Sequence, residues 1–378
     1  MEQMELTRKA WLLPLLFIAP ICHAKLGFST GISGEGSGKQ PVQARAAAEA
    51  NLKRNCKTTY DGIGVANNYN VYSNSGQASL GFSAMAFGTC SYQRLEPPHI
   101  YGFNKKAAPT AITKLWWDAD YSKKTEITLP MYLGGTDEKK IFGTADFNGD
   151  GTEDYYVFSR SNTGSGTTEV HVINGRNPQN FLLQTPTPLH ETGTGSDYKF
   201  LLADRDGDNV PDVYVIKKNG GNGKTEIHIL DGAANYTRFN GQFETALTST
   251  GNDVSFDFAL GGWENGVSPD LYVITKMGQS NTTEVHILTS VSDFKTYKLH
   301  ATTGLGVTGN DNSYSFNMGD YNHDGRLDLF AVRTSNADAE VLVYDGSTGF
   351  KTLLLAVPTP AQTLGKIKDW QFVVGAGM

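Results

Sequence analysis

The chain is short of most features that would assign a chemistry at sight. Its 378 residues include three cysteines, too few for a cysteine-dense scaffold. No apolar run approaches the ~20 residues of a membrane-spanning helix. Charged residues make up 19% of the chain, the net charge is −7, and no basic stripe is present; this excludes the electrostatic footprint of a nucleic-acid binder. There is no zinc motif, no catalytic cysteine with its partners and no credible triad. Gly27-Phe28-Ser29-Thr30-Gly31 has the spacing of a nucleophile elbow, but no sheet precedes it to present the serine. The Gly-rich run ending in Gly38-Lys39-Gln40 has glutamine where a phosphate loop needs a magnesium-binding hydroxyl. Strong helix signals are equally scarce. What is abundant is glycine (42 residues) and aromatic side chains, the composition of a mainly β chain with many turns.

Residues 1–24 have the layout of a secretory signal. Arg8 and Lys9 supply the positive start, Ala10 to Ile21 a short apolar core, and Cys22-His23-Ala24 a small-residue end. Export to a secreted or periplasmic location follows, with no transmembrane anchor expected. Two cysteines then remain, Cys56 and Cys90. In an exported chain an even pair reads as a disulfide, with two buried free thiols as the alternative. A bridge closing about 34 residues (90 minus 56) stabilises by roughly 3–4.7 kcal/mol on the chain-entropy account. Residues 25–96 are expected to form a small α+β domain. It has a helix over Val42–Cys56, strands near Ile63–Tyr72 and Leu80–Tyr92, and a flexible glycine-rich loop at Ser33–Lys39. Glu96-Pro97-Pro98 marks its boundary.

The rest of the chain is organised around Asp146-Phe147-Asn148-Gly149-Asp150-Gly151-Thr152-Glu153-Asp154. Oxygen-bearing side chains fall at loop positions one, three, five and nine, with glycine at six, which is the layout of a hard-cation cage. The pattern returns at Asp204–Asp212 and Asp320–Asp328. The starts are 58 apart (204 minus 146) and twice 58 apart (320 minus 204). A worn copy lies midway, with Gly262, Glu264 and Gly266 leading to Asp270. A fixed period of this size means a repeat architecture. Position twelve is Val157, Val215 or Ala331 rather than glutamate, and short β-branched and aromatic runs follow each loop. The loops therefore join strand to strand and are not EF-hands. Acidic surface turns without metal are the plain alternative.

Each 58-residue unit reads as four strands, and four-stranded units of this length are propeller blades. The fourth strands end in Thr185-Pro186-Thr187-Pro188 and Val357-Pro358-Thr359-Pro360, which suits an outer edge because proline cannot donate to a ladder. Four complete units leave strand-like remnants at both ends. Asp369–Val374 aligns with a first strand, Ile100–Asn104 with a second, Thr113–Asp118 with a third and Thr125–Tyr132 with a fourth. Five blades are expected, the fifth assembled from both ends of residues 97–378. The third strands place Glu169 and His171, Glu226 and His228, and Glu284 and His286 two apart on one strand face. Repeated pairs of this kind read as polar contacts within blades and not as one convergent site.

The loop pattern, its flanking strands and the 58-residue spacing resemble the FG-GAP/VCBS repeat family, whose best-known members are the calcium-binding blades of integrin α-subunit propellers. The resemblance covers about 97–378. It implies about three Ca2+ sites. Their ligands are Asp146, Asn148, Asp150, the Thr152 carbonyl and Asp154; Asp204, Asp206, Asp208, the Val210 carbonyl and Asp212; and Asp320, Asn322, Asp324, the Arg326 carbonyl and Asp328. Asn209 stands where glycine is usual, and asparagine is the next-best residue for left-handed backbone. The functional expectation is a binding or adhesion module for a protein or glycan. The alternative is a secreted carbohydrate-active hydrolase or lyase on the same scaffold. Trp263 in the worn copy is a candidate contact residue, with core packing as the competing explanation.

Overall fold

The structure, a computed structural model, describes residues 28–38, 41–59, 65–74, 82–92, 97–107, 110–116, 121–130, 137–263, 268–334, 338–362 and 369–375. The expected leader at 1–24 lies outside them. The chain forms two compact units, Met1–Arg94 and Leu95–Met378.

In the first unit, strands β1 (Phe28–Gly38), β2 (Val65–Asn74) and β3 (Phe82–Tyr92) make an antiparallel sheet in the order β1-β3-β2, and helix α1 (Pro41–Thr59) packs on it. Ala44, Ala48 and Leu52, spaced one turn apart, are fully buried against Ala84 and Ala86. The glycine-rich run expected as a loop is instead the end of β1. Gly34 pairs with Ala86 and Gly36 with Ala84. Directly paired residues share a sheet face, so these glycines lie on the helix side, where their lack of a side chain lets α1 approach. Glycine here is a packing residue recurring at the strand period of two, not a breaker. Ser29 lies within this continuous strand, without the strand–turn–helix of an elbow. Cys56 is on α1 and Cys90 on β3; their side chains lie outside the described ones.

The second unit is a five-bladed propeller. Blade 1 comprises β7 (Lys140–Ala145), β8 (Asp154–Ser159), β9 (Thr167–Ile173) and β10 (Phe181–His190). Blade 2 comprises β11 (Tyr198–Ala203), β12 (Asp212–Lys217), β13 (Lys224–Leu230) and β14 (Phe239–Thr248). Blade 3 comprises β15 (Phe256–Gly261), β16 (Asp270–Thr275), β17 (Thr282–Leu288) and β18 (Tyr297–Gly306). Blade 4 comprises β19 (Tyr314–Gly319), β20 (Asp328–Thr334), β21 (Asp338–Tyr344) and β22 (Leu353–Gln362). Blade 5 takes β23 (Trp370–Val374) from the C-terminal end and β4 (Ile100–Asn104), β5 (Ala111–Trp116) and β6 (Lys123–Thr128) from the other. This is the expected closure, with the third strand displaced by two residues from the expected Thr113–Asp118 and the fourth likewise starting two residues before the expected Thr125–Tyr132. First strands neighbour one another in the closed cycle β7–β11–β15–β19–β23–β7. The proline-bearing fourth strands are outermost.

Each blade packs on the next through its own apolar cluster, and the blade 5–blade 1 junction is no weaker in kind than the others. The third residue of every first strand is phenylalanine: Phe142, Phe200, Phe258, Phe316 and Phe372, all buried. Phe142 stacks on Phe103 of blade 5 at 4.9 Å, and Phe200 on Phe158 of blade 1 at 5.1 Å. Truncation of one such ring to alanine costs about 3–5 kcal/mol. Lateral bonds between first strands tighten the ring. Lys199 Nζ donates to Asp257 at 2.7 Å, Ser315 Oγ to the Phe372 carbonyl at 3.2 Å, and the Gln371 side-chain amide pairs with both backbone groups of Phe142 at 3.0 and 2.6 Å.

Removing residues 366–378 deletes β23 and exposes the β4 edge and Phe142. The truncated chain is expected to aggregate or lose its cooperative melt; a truncation that melts like the full chain contradicts the closure.

Candidate metal loops

Each acidic loop connects the first strand of a blade to the second. Its sharp path needs left-handed backbone twice, at positions four and six: Gly149 and Gly151, Gly207 and Asn209, His323 and Gly325, with φ between 58° and 84°. Asn209 adopts φ 66°. The alternating conformation turns backbone N–H groups inward onto the loop's own carboxylates. In the second loop Asp204 accepts from the amides of Gly207 (2.8 Å) and Asn209 (2.9 Å), and Asp208 accepts from Val210 (2.8 Å). Asp204, Asp206 and Asp208 place one carboxylate oxygen each within 4.8 Å of one another. Three hard oxygens at this spacing suit a calcium ion.

The first loop is built alike, with Gly151 N bonding Asp146 at 2.7 Å, Asp150 N bonding Asn148 Oδ1 at 3.0 Å and Thr152 N bonding Asp150 at 2.9 Å. It differs in carrying its own cation. Arg176 places Nε 3.3 Å from the Asp150 carboxylate, donates to Thr152 Oγ1 at 3.0 Å, and bonds the Asp150 carbonyl. In the third loop Asp320 accepts from Gly325 N (3.0 Å), Asn322 Oδ1 from Asp324 N (3.0 Å) and Asp324 from Arg326 N (2.8 Å). The other Asp320 oxygen is buried with no hydrogen-bond partner, the condition a metal ligand would satisfy. Burial also raises the Asp320 pKa. The residues of the second and third loops therefore fit a hard divalent cation, whereas the first is partly neutralised by Arg176.

Position nine has a further task. Asp154, Asp212 and Asp328 are almost wholly buried. One oxygen of each accepts the position-two amide (Phe147, Arg205 and Tyr321, at 2.9–3.0 Å), and the other accepts an amide before the fourth strand (Gly175, Gly232 and Gly346, at 2.7–2.8 Å). Burial pushes Asp212 and Asp328 up to about 6 against the pull of those bonds. Each oxygen keeps a second lone pair, so the clasp is compatible with ligation. The worn copy makes the same clasp: Asp270 accepts from Trp263 N at 3.3 Å and Ser290 N at 2.7 Å. This explains why Asp270 persists where positions one and five have lost their oxygens. Residues 264–267 of that copy lie outside the described ones. Trp263 is half-buried; Arg326 of blade 4 lies 5.1 Å over its ring and donates to its carbonyl at 2.6 Å. Ser268 likewise donates to the Arg205 carbonyl at 2.6 Å. Neighbouring loops are thus tied rim to rim, and Trp263 is a packing residue between blades.

The loops surround one mouth of the central channel, a cavity of about 660 Å³ lined by Asp146, Asp204 and Asp320 and by small first-strand residues such as Gly143 and Gly261. The opposite mouth is basic, with Lys105, Arg160, Lys199, Lys218 and Lys276 among its lining residues. Arg160, Lys218 and Lys276 recur at the 58-residue period. Each reaches a carbonyl of the following blade: Gly195 (3.1 Å), Asp253 (3.2 Å) and Asp311 (2.9 Å). Burial lowers the pKa of all three. Their period is visible in the sequence, but a basic residue after a strand suggests a solvated end until the next blade is placed against it. The Glu/His pairs stay within their own strands, at 3.5 Å for Glu169–His171, 3.1 Å for Glu226–His228 and 3.3 Å for Glu284–His286. They sit two strands out from the channel and do not converge.

Asp270→Ala leaves two backbone amides without acceptors, at about 1–3 kcal/mol each. It is expected to lower the melting temperature equally in calcium and in EDTA, whereas Asp206→Ala lowers it in calcium alone. A calcium-dependent loss for Asp270→Ala contradicts the clasp.

Residues 146–215 match the family of FG-GAP-like repeats. No curated protein matches the chain. Among solved structures, a triple arginine-to-alanine mutant of AofleA from Arthrobotrys oligospora is similar over 93% of this chain and 94% of that one, at 11% identity and a TM-score of 0.38. The rhamnogalacturonan lyase YesW is similar over 76% of this chain and 64% of that one, at 12% identity and a TM-score of 0.31. Likenesses this distant carry no functional argument. Among the described residues no helix is long and apolar enough to cross a membrane. The matched repeat and the ring of five four-stranded blades make Leu95–Met378 an FG-GAP-like β-propeller.

Proposed function

We propose that the chain is an exported, calcium-stabilised propeller that binds a protein or glycan and does not catalyse. The observation that supports this most is the fate of its ionisable side chains. The position-nine aspartates, the buried basic residues and the Glu/His pairs recur blade by blade, and each kind makes the same architectural bonds at each place. General acid–base catalysis needs two groups whose surroundings differ, and a carboxylate holding calcium stays ionised. The remaining surface is loop and blade edge, which suits recognition. Calcium ligation falls on the three loops, and at about 100 times its dissociation constant each ion adds about 2.7 kcal/mol to folding.

The calcium-loaded protein, screened against glycans and cell-surface fractions, is expected to show saturable binding, and a polysaccharide-degradation assay to show no turnover. Turnover abolished by mutating a propeller carboxylate outside the three loops would overturn the reading in favour of an enzyme.

Export also favours a Cys56–Cys90 disulfide joining α1 to β3. Unreduced protein purified from the exported fraction is expected to resist thiol alkylation even when denatured; alkylation at both cysteines contradicts the bridge.

A further inference from the structure

Blade 3 differs from blades 1 and 2 at one cross-strand pair. His286 on β17 is the register partner of His300 on β18. Their Nδ1 atoms face each other at 2.8 Å, with ring centroids 5.0 Å apart. Two nitrogens so close share one hydrogen, one donating and the other accepting. In the same register, His171 of blade 1 faces Gln184 and His228 of blade 2 faces Gln242. The Glu/His contact within the third strand is thus complete without a second imidazole, and His300 adds a donor atom the architecture does not need.

The surroundings arrange these rings as ligands. Glu284 lies 3.3 Å from His286 Nε2. It is itself fixed by the Ser280 hydroxyl at 2.7 Å and the Ser280 amide at 3.0 Å. A carboxylate that accepts Nε2–H selects the tautomer whose Nδ1 carries a lone pair, and that lone pair points at His300. Metal-bound histidines characteristically have such a carboxylate behind them. The Tyr297 ring packs 4.6 Å from the His300 ring and limits its rotation. His300 is exposed, so an ion has access from solvent. Two imidazole nitrogens bound at 2.0–2.1 Å to a tetrahedral ion stand about 3.3 Å apart, so the pair needs to open by only about half an ångström, which side-chain torsion supplies.

We propose that His286 and His300 bind one divalent transition ion such as Zn2+ through their Nδ1 atoms, with Glu284 orienting His286 and water filling the remaining positions. Imidazole suits zinc, copper and nickel, whereas calcium takes oxygen ligands. The site is chemically distinct from the acidic loops and independent of the binding reading above. No local sequence pattern marks it, because its ligands meet across a hairpin, 14 residues apart.

The test is zinc titration of the tag-free full chain in saturating calcium, which keeps the acidic loops occupied. One saturable zinc equivalent is expected. His300→Gln, which gives blade 3 the pair found in blade 2, removes that equivalent and leaves the zinc-free melting temperature unchanged. Glu284→Gln weakens zinc binding by about tenfold while keeping its stoichiometry. Zinc uptake that is unsaturable in the native chain, or unaltered by His300→Gln, overturns the proposal.

Discussion

Everything in the propeller depends on the ladder between β23 and β4. It joins strands that are 270 residues apart (370 minus 100) in the chain and turns a row of blades into a ring. Without it, blade 5 has no inner strand, blade 1 loses the amide clasp from Gln371, and Phe142 loses its neighbour Phe372 in the cycle of first strands. Closing so long a loop carries a large entropic cost, offset here by apolar clusters at all five blade junctions. The closed ring leaves only the outer fourth strands as edges, two of which, β10 and β22, carry prolines, which limits edge-to-edge association there.

Within that ring the acidic loops do two separable jobs. The position-nine carboxylate is a backbone clasp, present in all four 58-residue units whether or not the other oxygens remain. The side-chain oxygens at positions one, three and five line a turn held by the loop's own amides, and in the second loop all three are carboxylates within 4.8 Å of one another. The clasp belongs to folding, and the remaining loop oxygens are the ones proposed to hold calcium. Arg176 offsets part of the first loop's negative charge. Because adjacent loops are tied through Ser268 and Arg326 to the loop before, ordering one loop restrains its neighbour.

Much of this is legible in the chain. The 58-residue period and the oxygen spacing specify blades and loops, and the leftover strands at the two ends require a split fifth blade. The third and fourth strands of that blade start two residues before their expected places because no metal loop anchors the register there. The glycine run in β1 reads as a loop when glycine is treated as a breaker, whereas its period-two spacing clears a face for the alanines of α1. Contacts that cross from one blade to the next, such as Arg160 to Gly195, and contacts across a hairpin, such as His286 to His300, leave no local pattern. They appear only when the strands are laid side by side. The same holds for Trp263, whose neighbours Arg326 and Phe350 come from the next blade.

The central claim is that folded carboxylate loops in a closed ring hold calcium. An anomalous-difference map from crystals grown in calcium tests it most directly. The account predicts a peak among Asp204, Asp206 and Asp208, a second at Asp320, Asn322 and Asp324, a weaker third at Asp146, Asn148 and Asp150 beside Arg176, and none in the worn copy leading to Asp270. Calcium-replete crystals with no peak among Asp204, Asp206 and Asp208 would contradict it.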